Sequence, residues 1–61
     1  TVVTINPIKK GELFTKENIW VKRPGIGGML AEKYSDILGK VAANNICIDI
    51  HLEKSDIQGY L

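Results

Sequence analysis

Arg23-Pro24-Gly25-Ile26-Gly27-Gly28 is the stretch of this 61-residue chain whose residue types are best suited to chemistry. Arg23 stands directly before a proline, which pushes its backbone toward extended geometry. Pro24 fixes the next φ and removes a backbone donor, while Gly25 and Gly27 let the main chain approach another surface closely. The guanidinium is always charged and offers five donors in a rigid fork, a match for an amide oxygen, hydroxyls or a carboxylate. On a pre-shaped loop it loses little entropy on docking. Without further context the ordinary reading is a solvated arginine beside a turn. The glycines do not make a phosphate cradle, because the Lys-Ser/Thr of a P-loop is absent and no long βαβ unit surrounds them.

Elsewhere the chemistry is sparse. His51 is the sole histidine, and no nucleophile or fixed carboxylate is placed beside it by sequence, so a surface or packing role is expected rather than catalysis. Cys47, the sole cysteine, reads as a small strand residue with nothing nearby to activate it. Glu12, Glu17, Glu32, Asp36, Asp49, Glu53 and Asp56 fall in turns and cap regions and read as solvated or capping groups. Trp20 is expected in the core or at an interface, where its indole N–H needs a partner if buried. No Cys/His cluster has zinc spacing, so neither a structural metal nor a cofactor is expected in this chain.

Composition narrows the class further. The net charge of +1 with few aromatics argues against nucleic acid as the main partner. No apolar run approaches membrane-spanning length and no signal peptide is visible. One cysteine fits a reducing, cytoplasmic setting. A chain of this size makes one domain (1–61) near the lower limit for folding alone. Its opening in a strand-like Thr1-Val2-Val3-Thr4 is read as a domain cut from a longer protein.

The elements that must hold the loop are short. Val2, Val3 and Ile5 favour a strand, which Asn6-Pro7 ends. Lys9-Lys10-Gly11-Glu12 reads as an exposed turn, with Gly11 at the unusual backbone angle. Thr15 is expected to cap a turn over 16–19, with Asn18 as an alternative local hydrogen bonder. Trp20 to Arg23 has strand composition. Met29 to Tyr34 suits one or two helical turns, with Ser35 as an N-cap for Asp36-Ile37-Leu38 and Gly39 as the stop. Lys40 to Ala43 begins a second strand unit, Ser55 is placed as a cap for Asp56-Ile57-Gln58, and the tail 59–61 is expected to fray.

The two halves echo each other at an offset of 38 residues. Val3 falls on Val41, Asn6 on Asn44, Ile8 on Ile46, Lys16 on Lys54 and Ile19 on Ile57. Phe14 meets Leu52, Asn18 meets Asp56, and Gly11 meets Asp49, a pair expected where a turn needs positive φ. The pattern predicts a compact, mostly β fold with a pseudo-twofold internal repeat. Its core is expected to hold Val3, Ile8, Phe14, Ile19, Val21, Ile37, Leu38, Val41, Ile46, Leu52 and Ile57.

Four blocks in this order resemble a known family. Ile8-Lys9-Lys10-Gly11-Glu12-Leu13-Phe14-Thr15-Lys16-Glu17-Asn18-Ile19 is similar to the I-x-K-G-E-x-L-T-x-E-N-I stretch of SAF domains, also called antifreeze-like domains after the type III fish antifreeze proteins. Lys22-Arg23-Pro24-Gly25-x-Gly27 resembles the K-R-P-G-x-G loop of the branch found at the C-terminus of bacterial sialic acid synthases. Ile37-Leu38-Gly39-Lys40-Val41-Ala42 is similar to that branch's V-L-G-K-x-A block, and Leu52-x-x-Ser55-Asp56-Ile57 to its closing segment. The chain departs at Asp49, where the second turn usually has glycine, and at Cys47-Ile48, where polar residues are common.

The resemblance implies a β-clip fold and a parent enzyme that condenses phosphoenolpyruvate with an N-acetylmannosamine-type sugar. It implies a separate (β/α)₈ barrel carrying a divalent metal (Mn or Mg) and both substrates. This domain then caps the barrel of the partner subunit in a swapped homodimer, with Arg23 contacting the sugar near its N-acetyl group on a loop shaped by Pro24, Gly25 and Gly27. Met29 and Ile26 lie either against that barrel or in the domain's own core. Alternatives are a free-standing ice-binding protein, for which Lys9, Lys10 and Glu12 roughen the required face, and a SAF domain of a sugar-acid dehydratase or of a pilus or flagellar assembly chaperone.

Overall fold

A computed structural model describes residues 1–22 and 28–60. Among them, regular structure is limited to a few short elements joined by irregular chain. Strand β1 (Val2–Thr4) pairs antiparallel with β2 (Ile19–Val21), in the register Val2 to Val21, Val3 to Trp20 and Thr4 to Ile19. A 3₁₀ turn over Ala31–Lys33 runs into a single-turn helix α1 (Tyr34–Ile37), and a second 3₁₀ turn covers Lys54–Asp56. Isolated antiparallel bridges join Val3 to His51, Ile8 to Ile46, Leu13 to Val41 and Ala42 to Ile57.

β1 is buried along its whole length because it is covered on both edges. β2 flanks one edge; on the other, Leu52 N donates to Val2 O (2.9 Å) and Thr4 N to Ile50 O (3.0 Å). Thr4 is fully buried, yet its hydroxyl is satisfied twice: it donates to Cys47 O (2.6 Å) and accepts from Ile50 N (2.9 Å). A buried hydroxyl without such partners costs about 1–3 kcal/mol.

Several backbone bonds recur when both partners are shifted by 38 positions. Gly11 N donates to Ala42 O and Asp49 N to Thr4 O; Phe14 N donates to Lys40 O and Leu52 N to Val2 O. Ala42 N bonds Glu12 O as Thr4 N bonds Ile50 O, and Ile5 N bonds Asn18 O as Ala43 N bonds Asp56 O. Side chains follow, since Asn6 Nδ2 donates to Glu17 O and Asn44 Nδ2 to Ser55 O. Ile8 and Ile46 exchange bonds with each other, at 2.8 and 2.7 Å. Gly11 and Asp49 both take positive φ, +92° and +62°.

The core contains Ile8, Phe14, Ile19, Ile37, Ile46, Leu52 and Ile57 as the sequence predicts, with Val3 also buried. Val21, Leu38 and Val41 are only half-buried, and Val2, Met29 and Ala42 are buried in addition. Trp20 is outside the core at 55 % exposure, because the alternation of β2 turns Ile19 inward and Trp20 outward. Its ring makes a T-shaped pair with that of Tyr34, with centroids 5.4 Å apart and planes at 84°.

Two predicted caps are not formed. α1 begins at Tyr34, so Ser35 lies inside it and caps nothing, and no side chain caps this helix. Ser55 likewise lies inside the second 3₁₀ turn; there Asp56 Oδ2 reaches back to accept from Glu53 N at 3.0 Å. The earlier turn is built the same way, with Asn18 Oδ1 accepting from Thr15 N at 2.7 Å, while the Thr15 hydroxyl accepts only a long 3.3 Å bond from Glu17 N. Within the tail, Tyr60 is half-buried against the core and takes the Lys40 ammonium over its ring at 5.7 Å, so this residue is anchored rather than frayed.

Candidate functional site

Arg23, Pro24, Gly25 and Gly27, the residues assigned to the site from sequence, lie outside the described residues. The structure does describe the two stems on either side of them, Lys22 and Gly28, and what holds them.

The outgoing stem continues β2 by one reciprocal pair. Lys22 N donates to Thr1 O at 2.8 Å, and the Thr1 nitrogen donates to Lys22 O at 3.0 Å. The incoming stem is pinned one residue along the same segment, where Val2 N donates to Met29 O at 2.9 Å. Met29 N donates to Leu52 O at 2.7 Å, and Leu52 N donates to Val2 O at 2.9 Å. Residues 1–2 therefore stand between the stems and bond to both. Met29 is 5 % exposed and anchors the incoming stem in the domain's own core, as one of the two sequence expectations had it.

Gly28 is demanded by this geometry on two grounds. Its φ is +64°, which L side chains rarely adopt, and a Cβ there would stand 2.6 Å from Leu52 O and 3.3 Å from His51 Cβ. The residue preceding Met29 must therefore be a glycine if the stem is to lie flat on 51–52. The Gly27-Gly28 pair was a visible signal, but sequence gave no reason to single out Gly28.

His51 sits at the same place. Its Nδ1 is 2.6 Å from Thr1 Oγ1, so the histidine has a partner 50 residues away that sequence reasoning had no means to supply. His51 is exposed, and the contact joins the segment under one stem to the segment under the other, in line with the expected surface or packing role. On the outer side, Lys22 Nζ lies 3.5 Å from Asp49 Oδ1, an ion pair with both side chains well exposed and so worth at most about 1 kcal/mol.

Around these stems the chemistry is one of shape and hydrogen bonding. Cys47 is a free, exposed thiol. No group of three or more His, Cys, Asp and Glu side chains among the described residues is arranged to hold a metal ion. No helix among them is long and apolar enough to cross a membrane. What the arrangement can do is fix Lys22 and residues 28–29, which flank a segment whose sequence carries one arginine, one proline and two glycines.

With that geometry in hand, comparison with known proteins is informative. The SAF domain model matches residues 1–57. The chain belongs to the SAF domain family. Within it, the chain is similar to the N,N'-diacetyllegionaminic acid synthase of Campylobacter jejuni subsp. jejuni serotype O:2 (strain ATCC 700819 / NCTC 11168), with 42% identity over 45 residues. That match takes in 74% of this chain but only 13% of the relative, so this SAF domain spans a small part of the synthase's length.

Proposed function

We propose that this SAF domain is the substrate-capping C-terminal domain of a sialic acid synthase-like enzyme, one that condenses phosphoenolpyruvate with an N-acetylmannosamine-type sugar. In this reading it has the β-clip fold with a pseudo-twofold relation between its halves, in keeping with the bonds that recur at the 38-residue offset. It covers the (β/α)₈ barrel of the partner subunit in a swapped, cytoplasmic homodimer. Arg23 donates to the sugar near its N-acetyl group, and Pro24, Gly25 and Gly27 keep the loop in the shape that delivers it. The metal, Mn or Mg, belongs to the barrel, and the domain by itself turns over nothing.

The observation that carries the reading is the anchoring of the residues on both sides of the arginine segment. Both stems bond to residues 1–2, and such a base lets an arginine be presented with little ordering cost. Similarity to a diacetyllegionaminic acid synthase supports an acetamido sugar as the group met by the guanidinium. The ice-binding alternative is disfavoured by Lys9, Lys10 and Glu12, all exposed on the first turn.

The test is Arg23→Ala in the full-length enzyme. Loss of a charged hydrogen bond to bound sugar costs about 1.5–3 kcal/mol, roughly a 10- to 150-fold fall in kcat/KM for the sugar. Arg23→Lys should recover little of it, because an ammonium lacks the planar fork. Unchanged kcat and KM in Arg23→Ala would overturn the assignment.

A further inference from the structure

Beside the incoming stem, a cleft of about 280 Å³ opens between the two 3₁₀ turns, lined by Gly28, Met29, Leu30, Lys33, Lys54 and Tyr60. Its walls combine apolar residues with two lysines. Met29 forms a buried floor, Leu30 is 59 % exposed, and the half-buried Tyr60 closes one side. None of the chain's seven carboxylate side chains lines it. Three of those are engaged elsewhere: Glu12 accepts from Lys9 N, Asp49 faces Lys22, and Asp56 accepts from Asn44 and Glu53 N. The one ion pair among the described residues is Lys22 with Asp49, outside the cleft.

The walls are also fixed in advance. Met29 is bonded through both its N–H and its carbonyl, Lys33 N donates to Leu30 O at 2.9 Å, and the Tyr60 ring is held beneath Lys40. A preformed concavity lined by apolar residues and by two lysines, with no carboxylate side chain among its lining, has the makings of a ligand site. Its volume lies just below the roughly 300–1,000 Å³ of drug-sized ligand pockets, a size that suits a small anion.

We propose that this cleft is an anion subsite, in which Lys33 and Lys54 bind the carboxylate or phosphate of a small molecule and Met29, Leu30 and Tyr60 pack its apolar part. The subsite uses neither Arg23 nor a barrel, so it stands or falls separately from the capping role.

The experiment is an amide NMR titration of the 61-residue chain at low ionic strength, with pyruvate in one series and inorganic phosphate in another. The expected result is saturable shifts confined to Gly28, Leu30, Lys33, Lys54 and Tyr60. Saturation with pyruvate alone selects the carboxylate, and saturation with phosphate alone selects the phosphate. Lys33→Met and Lys54→Met should each weaken binding about two- to fivefold, the scale of a solvent-exposed ion pair. The Lys9→Met/Lys10→Met variant, altered on the remote first turn, should bind as the parent does. Shifts that rise linearly with both anions, or that fall equally on Lys9, Lys10 and Lys16, overturn the subsite. Undiminished binding by a well-dispersed Lys33→Met/Lys54→Met variant overturns it as well.

Discussion

The turn at Gly11 and the turn at Asp49 have the same backbone built from different residues. Each takes positive φ, and each donates its N–H across to the other half, Gly11 to Ala42 O and Asp49 to Thr4 O, both at 2.9 Å. Their surroundings differ. Around Gly11 a Cβ would meet nothing within 4 Å, and the neighbouring Lys9 and Lys10 are exposed. Asp49 instead reaches Lys22, the residue directly before Arg23. The same local fold therefore serves in one place as a plain chain reversal and in the other as a brace against a loop stem. The lesson is that hydrogen bonding sets the backbone of such a turn, and the side chain is left open to other uses.

The largest effect expected from breaking this correspondence lies in the core. Phe14 and Leu52, 38 positions apart, are 1 % and 0 % exposed. Phe14→Ala should cost about 3–5 kcal/mol and Leu52→Ala about 2–5 kcal/mol. In so small a domain a single core rarely supplies more than about 3–5 kcal/mol, so either variant should lose its cooperative thermal transition by circular dichroism. A variant that kept the parental midpoint would mean that its half contributes little to the common core.

Next in size is Gly28→Ala set against Gly11→Ala. Both force an L residue into the left-handed region, at about 1–2 kcal/mol. Only Gly28→Ala also drives a methyl to 2.6 Å from Leu52 O, so it should lower the urea midpoint clearly further than Gly11→Ala. Equal midpoints would show that the 51–52 segment yields without cost, and the stem is then less firmly seated than its bonds imply.

Much of this was legible from residue types, and the reasons for the rest are physical. The pairing of Gly11 with Asp49 and of Ile8 with Ile46 could be read because a turn of fixed φ and an inward-facing isoleucine both restrict residue choice. The burial of Ala42 and Met29 could not, since it depends on which distant segments cover them. Trp20 needed the strand's facing to be known before it could be placed outside. Ser35 misled because α1 begins one residue earlier, at Tyr34, and carries no side-chain cap, and Ser55 because Asp56 at the far end of its turn reaches back instead. At the site, the glycines and the proline marked the loop, whereas the bonds from residues 1–2 to its stems and the Thr1–His51 contact join segments that only the fold brings together.

The smallest predicted effect separates the two reasons for an aspartate at position 49. Asp49→Asn keeps a short polar side chain that tolerates positive φ and removes the charge. It should cost only a few tenths of a kcal/mol, as expected for one exposed ion pair, and the loss should vanish in 1 M salt, where charges are screened within about 3 Å. Asp49→Ala removes the pair and keeps the strained φ without a local hydrogen bonder, so it should cost about 1–2 kcal/mol. Asp49→Gly removes the pair but relieves the φ, at the expense of a more flexible unfolded chain worth about 0.4–1 kcal/mol, and should fall between the other two. An order in which Asp49→Asn is as damaging as Asp49→Ala, measured by urea unfolding, would assign the residue's value to its charge on Lys22. The second turn would then be held mainly by its contact with the loop stem, and the likeness to Gly11 would be one of backbone shape without a shared conformational demand.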